Sequence, residues 1–150
     1  MKKVFFAVIL LCSLAVQSYS QHSNWKTFHH VYGFTITLPS HFKDGGITAS
    51  GIQYYNSTLF KDEVIITVEP TEVNKTLAEN FNSEISFRKN ISKKKLENDC
   101  YLISGTDEAG LYYLKGIKTK KGIFILSVNY SNEKRKAIEA ILPKIVQSFK

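Results

Sequence analysis

The stretch CYLISGTDEAGLYYLKGIKTKKGIFILSVNY, residues 100–130, decides the fold. Cys100–Ser104 and Leu111–Lys118 read as strands separated by the loop Gly105–Gly110, and Thr119-Lys120-Lys121-Gly122 supplies the next turn. Ile123–Tyr130 then alternates, with Phe124, Leu126, Val128 and Tyr130 on one face. Three strands joined by short connections form an antiparallel meander. The apolar residues do not keep to one side. Tyr112 and Leu114 oppose Leu111, Tyr113 and Ile117, and Ile123 and Ile125 oppose Phe124 and Leu126. A sheet apolar on both faces needs a covering layer on both.

Two helices are predicted to supply that cover. Thr76-Leu77-Ala78-Glu79 matches a capping box, in which a threonine hydroxyl and a glutamate carboxylate satisfy reciprocal backbone amides. Leu77, Ala78, Phe81 and Ile85 follow as an apolar stripe, and Glu84 precedes Arg88 at the favourable i,i+4 spacing. The second helix starts at Ser131 or Asn132 as its cap and carries Ala137, Ile138, Ile141, Leu142, Ile145, Val146 and Phe149 on one broad face. Pro143 points away from that face, so the carbonyl it leaves without an amide partner can be hydrated.

Upstream, Gly33–Leu38 alternates with Phe34, Ile36 and Leu38 inward, and Pro39, lacking an amide hydrogen, ends the strand or marks an edge. Lys43-Asp44-Gly45-Gly46 reads as a turn and Ile52–Asn56 as a short strand. Glu63–Glu69 is a third strand, with Val64, Ile66 and Val68 on one face and Pro70 as its stop. The expected class is α+β: an antiparallel sheet of about five or six strands covered by helices as an α/β/α sandwich, ending in a meander and a long C-terminal helix.

The chain opens with Lys2 and Lys3, an apolar run from Val4 to Val16, and small residues at Ser18 and Ser20. That is the layout of a secretory signal peptide over residues 1–20, cleaved after Ser20. The run is shorter than the ~20 residues that a membrane helix needs, so no integral membrane segment is expected after cleavage. Residues 21–150 are then one domain of an exported protein, periplasmic or secreted. Cys12 leaves with the leader, and Cys100 remains as the single thiol, so packing rather than a disulfide holds the domain. Loss of Lys2 and Lys3 lowers the formal charge from +7 by two, to +5. Outside the cell the anions on offer are lipid head groups, wall polymers and acidic proteins. Another envelope or extracellular protein is the expected partner, and nucleic acid is not.

The strand GFTITLPSHF at 33–42, the segment GIFILSVNYSN at 122–132 and the helix AILPKIVQSFK at 140–150 together resemble the PsbP-like and DcrB-like group. That group includes an extrinsic photosystem II subunit, a bacterial envelope lipoprotein and a nuclear factor that binds the GTPase Ran. The resemblance spans roughly Phe28 to Lys150 and rests on structural motifs. It implies an α/β/α sandwich on an antiparallel sheet and a role in binding or assisting other proteins. It carries over no catalytic or ligand residue. The chain lacks a lipobox, because Cys12 follows Leu11 inside the apolar run.

Few residues suggest chemistry. A nucleophilic Cys100 would need a histidine and a lowered pKa; on a strand it shares a face with Leu102 and Ser104, as a small core residue would. A thiol-dependent enzyme using Cys100 is therefore an alternative reading. A metal-binding protein using the histidines His22, His29, His30 and His41 is another, although neither H-E-x-x-H nor a cysteine pair occurs. Nucleotide-binding loops and hydrolase elbows are absent from the sequence, and no catalytic, cofactor or metal residue is assigned. Asn56, Asn74, Asn90 and Asn129 begin glycosylation patterns that arise readily by chance. Candidates for a partner surface are Lys93, Lys94 and Lys95, the group Lys118, Lys120 and Lys121, and a mouth at His41 and Phe42. Against them stand plainer readings: lysines at turns and edges that block aggregation, and a strand end at Pro39.

Overall fold

The computed structural model describes residues 24–72 and 74–150, and the expected signal peptide, residues 1–20, lies outside them. Among the described residues nine strands and two α-helices follow in order. They are β1 Trp25–His29, β2 Thr35–Pro39, β3 Phe42–Ile47, β4 Gln53–Ser57, β5 Lys61–Pro70, α1 Leu77–Phe87, β6 Ile91–Leu96, β7 Cys100–Asp107, β8 Gly110–Thr119, β9 Gly122–Tyr130 and α2 Arg135–Ser148. Seven strands form one sheet in the order β3-β4-β5-β9-β8-β7-β6, and β1 and β2 form a separate hairpin. Every pairing is antiparallel.

The chain lays down β3-β4-β5 as one meander. It crosses through α1 to the far edge and returns as β6-β7-β8-β9, so the strongest strand, β9, closes against β5 at the centre. The meander read from residues 100–130 is present, with tighter connections than expected. Gly105, Thr106 and Asp107 belong to β7, and only Glu108 and Ala109 lie between the paired Asp107 and Gly110. Asp107 Oδ1 accepts from the amides of Ala109 and Gly110, so one carboxylate organises the whole turn.

The two faces have separate cores. On one, Val64, Ile66, Val68, Phe124, Leu126 and Val128 pack against Ile138, Ile141, Leu142 and Ile145 of α2 and against Phe34, Ile36 and Leu38 of the hairpin. On the other, Tyr101, Ile103, Tyr112, Leu114, Ile123 and Ile125 pack against Leu77, Phe81 and Ile85 of α1. The layers are therefore α1, the seven-stranded sheet, and α2 beside the β1–β2 hairpin. Pro143 is exposed, on the side of α2 away from the core.

The end of the chain is tied down. Ser148 Oγ accepts from the Thr37 amide at 2.8 Å, Lys150 and Thr35 exchange two backbone hydrogen bonds, and Phe149 is fully buried. From the sheet, Lys115 Nζ donates to the carbonyls of Val146 and Phe149 at 2.8 and 2.7 Å. An ammonium at the carbonyl end of a helix meets both unsatisfied acceptors and the negative end of the dipole.

Several local expectations need correction. Lys43-Asp44-Gly45-Gly46 is no turn but part of edge strand β3, whose register shifts between Asp44 and Ile47. Asp44 Oδ1 accepts from the Gly46 amide at 2.8 Å and from Gln53 Nε2 at 2.6 Å, so a turn-like bond is built into the bulge. Five of the strands read from the sequence lie in the main sheet, the one at Gly33–Leu38 pairs instead with β1 in the hairpin, and the polar edges β3 and β6, which carry no buried alternation to announce them, bring the sheet to seven. In α1 the buried partner of Leu77 is Asn80, and Ala78 is exposed. Ser131 and Asn132 do not cap α2 directly: a short 3-10 turn, Asn132–Lys134, precedes it, and Ser131 makes no side-chain capping bond. The Thr76–Glu79 capping box is formed as read, with the Thr76 amide donating to Glu79 Oε2 at 2.7 Å.

Candidate functional site

α2 and the hairpin cover their face of the sheet only as far as β8. In the registered rows beyond it, Lys115 and Leu102 lie opposite one another, then Leu102 and Lys95; Tyr113 and Ser104 lie opposite, then Ser104 and Lys93. Leu102, Ser104 and Tyr113 are half-buried, and Lys93 and Lys95 are exposed. These residues line an open groove of about 490 Å³ over β6, β7 and β8. Its floor is apolar and aromatic, and its wall is cationic.

Lys95 pairs with Glu97, whereas Lys93 and Lys94 have no carboxylate partner among the described residues. The Glu97 carboxylate raises the Lys95 pKa by a side-chain hydrogen bond and by charge. The triplet read from the sequence thus occupies a sheet edge, and alternation sends Lys93 and Lys95 to the groove and Lys94 to the opposite face. Sequence reasoning missed Tyr113, Leu102 and Ser104. Each looked like an ordinary strand residue, and the available signal was a lysine at 93, 95 and 115 in register with them.

The other lysine group is dispersed. Lys118 lies at the end of β8 and Lys120 in the turn, while Lys121 Nζ donates to the Val31 carbonyl at 2.6 Å and braces the tip of the β1–β2 hairpin. His41 and Phe42 do not form a mouth. Phe42 is 0 % exposed, inside the core, and has no surface to offer a partner. The His41 ring packs on Phe42 and Phe60, with Nδ1 3.1 Å from Ser57 Oγ. Ser57 Oγ already accepts from the amides of Leu59 and Phe60, so its own proton goes to His41 Nδ1. Burial first, and then Lys43, lower the His41 pKa and keep the ring neutral. The arrangement closes the β4–β5 turn.

Among the described residues the histidines do not converge. His29 is exposed on β1, His30 stacks on Phe34 at the hairpin, His41 sits at the far edge of the sheet, and His22 lies outside the described residues. Among the described residues no group of three histidine, cysteine or carboxylate side chains is placed to hold a metal. Cys100 is at the rim of the α2-side core rather than inside it: its thiol is partly exposed and donates to Glu97 Oε2 at 3.4 Å. Burial raises its pKa, and the bond to Glu97 adds to the rise; the charged groups around it are Glu97, Lys115 and Asp99. A thiol held protonated beside a carboxylate is a poor nucleophile.

Under α1 lies a second polar cluster. Tyr101 and Tyr112 lie across the glycines they pair with, Gly116 and Gly105, where any Cβ would overlap the ring. Laid flat in this way, Tyr101 reaches Asn80 Oδ1 with its hydroxyl at 2.6 Å, and Tyr112 reaches the Lys89 carbonyl at 3.0 Å. Arg88 donates to Glu84 Oε2 from Nε and Nη2, both at 3.3 Å, and sits over the Tyr112 ring. Burial raises the Glu69 pKa, Glu84 raises it further, and Arg88 works against both. The Tyr101 and Tyr112 hydroxyls thus fasten α1 and the residues after it to the sheet.

No protein-family model matches this chain, and no curated protein matches it in sequence. The fold is similar to the solution structure of cyanobacterial PsbP (CyanoP) from Synechocystis sp. PCC 6803, with a TM-score of 0.63 at 8 % identity, over 85 % of this chain and 92 % of that one. The PsbP-like architecture expected from the sequence is thereby met. At that identity the likeness concerns the fold alone.

Proposed function

We propose that this chain is an exported, soluble accessory protein without a catalytic centre, and that it docks an acidic partner protein on the open face of β6–β7–β8. One observation carries the reading. The sheet face that is densely apolar beneath α2 turns into a lysine-walled groove where α2 ends, in which Lys95 is paired with Glu97 and the Lys93 ammonium has no carboxylate partner among the described residues. Uncovered cationic concavities attract and orient anionic partners, because charge complementarity steers encounter and fixes register. A groove floored by Leu102, Ser104 and Tyr113 offers no activated acid, base or nucleophile. The signal-peptide layout of residues 1–20 supports export, and no helix among the described residues is long and apolar enough to cross a membrane.

Binding of the full mature chain to fluorescent polyglutamate tests this directly. Binding is expected to weaken at high salt, and to weaken strongly when Lys93, Lys94 and Lys95 are all changed to glutamate. Equal binding by the wild type and the charge-reversed protein would remove the docking face. N-terminal sequencing of protein recovered from outside the cytoplasm checks the export half, with Gln21 expected first.

A further inference from the structure

We infer, resting on that docking reading, that the acidic partner binds as an extended segment hydrogen-bonded to the free edge of β6, adding an eighth strand to the seven-stranded sheet. β6 is a terminal strand, and β7 is its only ladder partner among the described residues. Its unspent backbone groups can be identified. The Glu97 amide donates to the Cys100 carbonyl at 2.8 Å. An antiparallel ladder alternates every second residue, so Lys95 opposite Leu102 and Lys93 opposite Ser104 also turn their amides and carbonyls towards β7. Lys94 and Leu96 turn theirs outward. Such a row is a template for another strand.

The side chains state what that strand must look like. Lys93 and Lys95 project on the groove side, while Leu96, 42 % exposed, lies on the opposite face with Lys94. An incoming strand alternates in the same way. Acidic residues at every second position would lie beside Lys93 and Lys95, with apolar residues between them beside Leu96. A second copy of this edge would set lysine against lysine, which is unfavourable. Both edges carry a register shift, but that of β3 lies between Asp44 and Ile47 and breaks its outer half, whereas that of β6 lies between Ile91 and Lys93 at its start and leaves Lys93 to Leu96 in regular register. A phosphate polymer or an anionic membrane would satisfy the charges but leave the outward amides and carbonyls unmatched.

The test uses the full mature chain and an extended peptide alternating glutamate and valine, alongside the same peptide N-methylated at the amides that would face β6. Amide hydrogen exchange at Lys94 and Leu96 is expected to slow by about tenfold or more on binding the unmodified peptide, with Lys93 and Lys95 little changed because they already sit in the ladder. N-methylation should weaken affinity by about tenfold, since it removes two backbone hydrogen bonds without altering charge. Leu96→Pro, which deletes one outward amide, should weaken binding with an unchanged circular dichroism spectrum. Equal affinity for both peptides, still lost in the triple Lys→Glu variant, would overturn strand addition and leave the docking face standing. Failure of both peptides and of polyglutamate to bind would remove the docking face as well. Tighter binding to polyphosphate or to anionic vesicles than to the peptide, with Lys94 and Leu96 still exchanging freely, would also overturn the inference.

Discussion

One face of the main sheet changes character part-way along. Beneath α2, residues on β5 and β9 such as Ile66 and Leu126 are 0 % exposed and aliphatic. Two strands beyond β8, the same face carries Lys93 and Lys95. Both regions obey the same two-residue alternation, so the pleat does not distinguish them; the length of the covering layer does. The opposite face shows the complement. α1 packs over β7, β8 and β9, while Ile65 of β5 stays exposed there. Each helix covers one half of one face, and the halves left over are diagonal to each other. One of them holds the groove.

The difference can be attacked first at the covered end. Leu126→Ala removes a fully buried side chain between two sheet partners and α2, and should cost about 2–5 kcal/mol of unfolding free energy, read from denaturant melts. On the other face, Tyr101→Phe leaves Asn80 Oδ1 without its buried donor and should cost about 1–3 kcal/mol. Thr76→Ala opens the capping box of α1 and should cost about 0.5–2 kcal/mol.

A pH series sharpens the same contrast. Burial and Glu84 raise the Glu69 pKa, so the folded state holds this proton longer than the unfolded chain does. The contribution of Glu69 is therefore complete at low pH and falls as pH rises from the ordinary glutamate range towards the raised value. Glu69→Gln should gain stability relative to the wild type as pH is raised through that window, and melting temperatures at several pH values check the direction. At the uncovered end, Lys93→Ala should leave the melting temperature unchanged, because an exposed ammonium on an edge strand holds nothing in place. An appreciable fall there would mean that the groove wall is structural.

How much of this was legible follows from the same contrast. β5 and β9 announce themselves because burial imposes alternation, and α2 because one broad apolar stripe needs a surface to cover. Thr76 and Glu79 are legible because a capping box is local chemistry. β3 and β6 were missed because edge strands exposed to water carry no such pattern: Lys93-Lys94-Lys95 has the same composition whether it is loop or strand. Cys100 was placed too deep for a related reason. Its face was read correctly, but sequence does not say where α2 stops, and β7 lies past that limit. The candidate site was legible only as a lysine triplet. Its floor of Leu102, Ser104 and Tyr113 depends on register across three strands.

The most direct test of the account maps where an acidic chain lands on this sheet. Backbone and side-chain NMR shifts recorded during titration with the glutamate–valine peptide should move at Lys93, Lys95, Leu102, Ser104 and Tyr113 and stay still under α2 and at Lys118, Lys120 and Lys121. Shifts centred on the hairpin tip beside Lys121, or none at saturating peptide, would contradict it.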